Sequence, residues 1–224
     1  MREAFILKDR IKNFVSKNNF IVKHRQKLLR ANLQNKEPIS ILSSNCLGGL
    51  IYHELGMQFQ SPTVNIRFSS KDFVKFVLNI DHYLSSEFVK KETEETYPVA
   101  LLDDITVHFV HYHQFEDAVA TWKKRCKRIN WNNLFIILND CDGIDEDDIT
   151  ALDNSNYSNI LLFSAKERPG HRCAFYLPRF RNEQCVGNLM KKDFLTGELN
   201  AMKDFDFVAW FNQCKGSNLE LYRR

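Results

Sequence analysis

The chain is short of the features that would place it quickly in a class. It has 8 glycines and 5 prolines among 224 residues. That excludes a collagen-like polymer and a chain built of long flexible loops. No stretch reaches the ~18 uninterrupted apolar residues of a membrane span. The first ten residues, Met1 to Arg10, have no apolar core of the kind found in a secretory signal. The expectation is therefore a cytoplasmic protein. No charge of one sign dominates: 31 Lys and Arg stand against 28 Asp and Glu, a net charge of +3. So even a balance argues against a general nucleic-acid binder. The six cysteines form no C-x-x-C pair and are widely and irregularly spaced. In a chain large enough to build its own core, that predicts free thiols in a reducing compartment and no structural zinc site.

What is present is ordinary in bulk and unusual in one respect. Apolar residues make up 44% and charged residues 26%, as in a folded soluble protein, but there are 18 phenylalanines. The length predicts a single domain over 1–224, which opens on an N-terminal helical segment, 1–35. Within that segment, 2–17 and about 21–34 read as helix, since charged residues there are interspersed with apolar ones at helical spacing. The basic residues Lys23, Arg25, Lys27 and Arg30 read as a solvated helix face, and leave peripheral contact with an anionic membrane open.

Further on, strands and helices alternate. The runs 39–43, 64–68, 97–102, 105–112, 134–138, 160–163 and 174–177 read as strands. The runs 50–55, 70–84, 115–129 and 205–214 read as helices, with Ser69 or Ser70 capping the second. Asp145 is expected to cap a short acidic helix. Two residues, Asp103 and Asp104, separate two strands and predict a hairpin. This pattern implies an α/β domain with a largely parallel central sheet flanked by helices, a hydrolase-like three-layer sandwich. Ligands of such sheets sit beyond the carboxyl ends of the strands.

Two post-strand turns therefore attract attention. The first is Ser44-Asn45-Cys46-Leu47-Gly48-Gly49. A thiol at the start of a helix lies where peptide N–H groups and the helix dipole favour negative charge, which predicts a lowered pKa and a more nucleophilic Cys46. Asn45 could donate to an oxyanion. Gly48 and Gly49 lack side chains, so a ligand could approach the backbone closely, and Ser44 in the same turn is a further cofactor-binding candidate. The alternative is a small buried residue beside a tight turn. His53 lies almost two helical turns on, ~10 Å away, and is a poor base for Cys46. His108 and His111, near the end of the strand 105–112, are the better candidates. His111 and His113 share a strand face and could also bind a metal, but no third ligand is identifiable.

The second turn is Asn139-Asp140-Cys141-Asp142-Gly143. Its glycine is not where an EF-hand requires one. Asp140-Cys141-Asp142 is similar to the Asp-x-Asp element that holds a divalent metal and a sugar-nucleotide diphosphate in glycosyltransferases. A polar turn running into a helix cap is the plainer alternative.

Taken in order, Ser44-Asn45-Cys46-Leu47-Gly48-Gly49, Ser61-Pro62, His108-Phe109-Val110-His111-Tyr112, Ile129-Asn130-Trp131 and Asp142-Gly143 resemble a bacterial family. Its members are labelled exopolysaccharide or capsule biosynthesis proteins, or a domain of unknown function. The resemblance covers about 25–212. It implies work on a saccharide or lipid-linked saccharide and favours Asp142 over Asp140. The Asn-Cys turn also resembles that of capsule acetyltransferases, which carry Gly-Asn-Cys-Gln and bind coenzyme A; here Ser44 and Leu47 replace the Gly and the Gln. That likeness implies coenzyme A or acetyl-coenzyme A as cofactor. Three functions follow as expectations. The first is an acyltransferase using Cys46, Asn45 and His108 or His111. The second is a glycosyltransferase using Asp140, Asp142 and a divalent ion. The third is a non-catalytic pathway partner with a large exposed apolar patch.

Overall fold

The computed structural model describes residues 19–193, 196–213 and 218–224. The helix expected over 2–17 lies outside them, as does Cys214. From the amino end run α1 (Asn19–Asn32), β1 (Ser40–Ser43), α2 (Leu47–Leu55), α3 (Ser70–Leu78), α4 (Ile80–Ser85), β2 (Phe88–Lys91), β3 (Val99–Leu102) and β4 (Ile105–His108). There follow α5 (Phe115–Cys126), β5 (Leu134–Asn139), α6 (Glu146–Asp153), β6 (Ile160–Ser164), β7 (Ala174–Tyr176), α7 (Asn200–Asp204) and α8 (Phe207–Asn212).

Two sheets result. One has four strands, all parallel, in the order β1-β5-β6-β7; the other is the antiparallel meander β2-β3-β4. The parallel strands are apolar on both faces because both are covered. Ile41, Phe135, Ile137, Leu161, Phe163 and Phe175 pack with α2, α7, α8 and the last turn at Leu219 and Tyr222. Their strand neighbours Leu42, Leu134, Ile136, Leu138, Ile160 and Leu162 pack with α3, α5, α6 and the meander. The period of two along each strand thus divides the core between the two faces. Much of the phenylalanine goes there: Phe163, Phe175, Phe205 and Phe207 form edge-on contacts on one side, and Phe68, Phe73 and Phe76 stack or tilt on the other.

Several local expectations hold. Ser69 caps α3 by accepting from Asp72 N, and Asp145 caps α6 in a reciprocal capping box with Asp148. Gly56 ends α2 with φ 59°. Asp103, at φ 55°, makes the two-residue turn of the β3–β4 hairpin.

Others need correction. The run 64–68 is not a strand. Asn65 takes a left-handed φ of 69°, which asparagine tolerates, and only Arg67 bridges, to His108. The strand expected over 105–112 ends at His108, so His111 lies in the following turn and His113 in a bend rather than on one face of a strand. The strand β2 falls between the runs read as a helix over 70–84 and a strand over 97–102, where no strand was expected. The helix expected over 70–84 is broken at Asn79 (φ −128°, ψ 40°).

As an edge strand, β1 leaves backbone groups facing away from β5. Side chains take them. Tyr52 Oη accepts from Ile41 N (2.8 Å) and donates to Ile39 O (2.9 Å), and Thr63 Oγ1 accepts from Ser43 N (2.9 Å).

Candidate functional site

The carboxyl ends of β1 and β5 are joined by the segment 66–70, which the sequence reading treated only as a strand and a helix cap. Ser44 N donates to Ile137 O (3.1 Å), and Phe68 N donates to Ser44 O (2.8 Å). Cys46 Sγ lies 4.0 Å from Ile66 O. Arg67 exchanges backbone hydrogen bonds with His108 (2.8 and 2.9 Å), and its guanidinium lies 3.9 Å from Asp142 Oδ2. Ser70 Oγ donates to Asn139 O (2.8 Å). The segment therefore brings Ser44, Asn45, Cys46, His108 and Asp142 to one end of the sheet, with Arg67 among them. Arg67 was missed because its segment reads as a strand by composition; a lone basic residue between apolar ones, Ile66 and Phe68, was the available signal. His111 is exposed in the turn beyond β4 and is not tied into this arrangement by these contacts.

Each residue can be placed chemically. Cys46 caps α2 with its backbone, but its side chain makes no capping hydrogen bond. Burial pushes the thiol up, opposite to the lowering expected from its position at a helix start. Asn45 Oδ1 accepts from Leu47 N (2.9 Å) in an Asx turn, which leaves its amide NH2 to donate elsewhere. Burial, and then the positive charge of Arg67, lower the His108 pKa. Its buried Nδ1 has no hydrogen-bond partner. His108 also lines an open groove of about 700 Å³ with Lys91, Thr93, Glu95 and Thr106.

The glycine pair has a packing role. A Cβ on Gly48 would lie 2.9 Å from Ser43 Cβ and 3.2 Å from Ile41 Cγ2, and one on Gly49 would lie 3.1 Å from Val64 Cγ1. Those directions are filled by protein, so the pair lets α2 pack closely on β1 and on the 61–64 turn. An exposed cation nearby is Arg67.

The acidic turn also divides its labour. Asp140 is buried, and its carboxylate accepts from Ala165 N (2.7 Å) and Val186 N (2.8 Å), with Ser164 Oγ 3.1 Å away. It fastens β5 to the loops after β6 and around 186. Asp142 is half-exposed with φ 57°. The two carboxylates thus serve different surroundings. Between them, Cys141 is joined to Cys185 in a disulfide, while Cys46, Cys126 and Cys173 are free. This corrects the expectation of free thiols throughout. The wide spacing concealed the pair, because the chain after β7 returns to the end of β5.

The strand order β1-β5-β6-β7 contains no reversal among the described strands, so the crevice that a reversal opens is not what defines this site. Among the described residues no helix is long and apolar enough to cross a membrane.

Comparison with known proteins places the chain in a group. A family model described as a domain of unknown function, DUF1919, matches residues 14–212. An uncharacterised protein of Haemophilus influenzae is 35% identical over 193 residues, covering 85% of this chain and 93% of its own. Both descriptions leave the reaction open. The match spans both sheets and both post-strand turns, and the chain belongs to the DUF1919 family.

Proposed function

We propose that the protein is a transferase of bacterial cell-surface polysaccharide biosynthesis that moves an acyl group, in the first instance acetyl, onto a saccharide or lipid-linked saccharide hydroxyl. The observation that carries this reading is the segment 66–68, whose backbone is tied to Ser44 on one side and to His108 on the other and whose Ile66 O lies 4.0 Å from Cys46 Sγ. The motif resemblance to exopolysaccharide proteins and to Asn-Cys acetyltransferases supplies the reaction class and the substrate.

In this reading His108, neutral at pH 7 because burial and Arg67 disfavour its cation, accepts the proton of the attacking group. Cys46 rests as a thiol and becomes a nucleophile only with that help. The free NH2 of Asn45 donates to the developing oxyanion. Arg67 holds the anionic part of the donor. Coenzyme A, when bound, would supply the activated acyl group. The fit rests on the half-exposed guanidinium of Arg67. The glycosyltransferase reading is less well supported, because Asp140 is committed to internal hydrogen bonds.

The test is a thermal melt with millimolar coenzyme A, acetyl-coenzyme A, sugar nucleotides and Mn²⁺, followed by mass spectrometry of the acetyl-coenzyme A sample. The expected result is a higher Tm with the two coenzyme A ligands, lost in Arg67→Ala, and an acetyl adduct on Cys46, lost in Cys46→Ala. Adduct formation should fall with an acid limb below the ordinary imidazole pKa of ~6.5, and His108→Gln should remove that limb. A shift with sugar nucleotide and Mn²⁺ alone would overturn the reading in favour of glycosyl transfer.

A further inference from the structure

The disulfide between Cys141 and Cys185 spans 44 positions and sits beside the candidate site without belonging to it. Both cysteines are half-buried, and Cys141 packs against the apolar core on one side. Cys141 is flanked by Asp140, which is buried and fixed, and by Asp142, which is exposed with a left-handed backbone and faces Arg67. Cys185 lies in 181–190, a stretch with neither helix nor strand. Val186 and Leu189 anchor that stretch in the core, and Gly187 packs against the Phe180 ring. A second, non-covalent tie runs alongside the bridge: Asp140, next to Cys141, accepts from Val186 N, next to Cys185 (2.8 Å). Opening the disulfide therefore leaves the stretch attached but less constrained.

We propose that Cys141 and Cys185 are a reversible redox-modification site, whose closed state fixes the 181–190 stretch and the turn bearing Asp142. The co-reactant is a low-molecular-weight disulfide of the glutathione type. One cysteine thiolate attacks it, forming a mixed disulfide and releasing one small thiol. The second cysteine then attacks the mixed disulfide, closing the protein bridge and releasing the other small thiol. Two cysteine S–H bonds are lost, two small-molecule S–H bonds are gained, and the two electrons pass to the small disulfide. Excess small thiol runs the sequence backwards. The inference concerns the state of this bridge and is independent of the proposed acyl transfer.

The experiment equilibrates the full-length protein in buffers of graded reduced-to-oxidised glutathione ratio. Thiols are then trapped by alkylation, the Cys141–Cys185 peptide pair is quantified by mass spectrometry, and cleavage within 181–190 under limited proteolysis is followed in parallel. The bridged fraction should rise and fall reversibly with the ratio. The reduced protein should be cut in 181–190 roughly tenfold faster and melt about 5–15 °C lower. Cys141→Ser and Cys185→Ser should each behave as the reduced protein does; because a variant can misfold, wild type in excess thiol is the primary measurement. A bridge that never forms, one that excess thiol cannot open in the folded protein, or one whose opening leaves cleavage of 181–190 unchanged would each overturn the proposal.

Discussion

Cys46 shows how a residue's neighbourhood can reverse an expectation taken from its position. Its place at the start of a helix favours the thiolate, yet burial pushes the thiol up. The free protein should therefore react slowly at that cysteine. Iodoacetamide modification of Cys46 at pH 7, followed by peptide mass spectrometry, is expected to run roughly tenfold below free cysteine and to accelerate as the pH passes 9. Reaction faster than free cysteine at neutral pH would mean that the helix start wins after all. Cys126, pushed up to about 12 by burial, serves as an internal unreactive reference. His108 is the complementary case. It could be singled out from its place near a strand end, but its unpartnered Nδ1 and its partnership with Arg67 could not, since they depend on a segment forty residues upstream.

At the level of elements, α2 is held against β1 from two directions. Gly48 and Gly49 allow the close approach, and Tyr52, one turn on, satisfies the outer edge of β1. Gly48→Ala should displace the helix and cost about 1–3 kcal/mol. Tyr52→Phe should cost a similar ~1–3 kcal/mol by leaving Ile41 N and Ile39 O buried without partners. Urea melts read both, and a neutral Gly48→Ala would show that the helix start moves freely. Elements of this kind were the legible part of the fold. The run 134–138 had one reading, and the caps at Ser69 and Asp145 and the hairpin at Asp103-Asp104 carry their geometry in local chemistry. The stretch 64–68 defeated the same reasoning, because apolar composition is shared by strands and by buried irregular chain. The left-handed Asn65 that decides between them is a local detail which periodicity does not register.

Over the whole molecule, the abundant phenylalanine resolves into core. The large apolar side chains exposed among the described residues are Leu28, Leu78, Val89, Leu101, Trp131 and Leu221, none of them a phenylalanine, and they are scattered over different elements except for the cross-strand pair Val89 and Leu101. That distribution gives little support to a partner protein with one broad apolar face. Long-range polar ties were the least legible feature. Glu54 on α2 is fully buried and pairs with Arg25 of α1 and with Lys192 (2.8 Å from the latter), although nothing in the spacing of these residues links them. Glu54→Gln should cost about 3 kcal/mol in a urea melt, since removing one member strands the others. A loss below about 1 kcal/mol would mean that water replaces the carboxylate. The same carboxylate bears on the order of assembly. During synthesis α1 and α2 emerge early, whereas Lys192 follows only after the last strand of the parallel sheet. Until then Glu54 has one of its two cations, so α2, though early to leave the ribosome, is among the last of the described helices to be fully fastened.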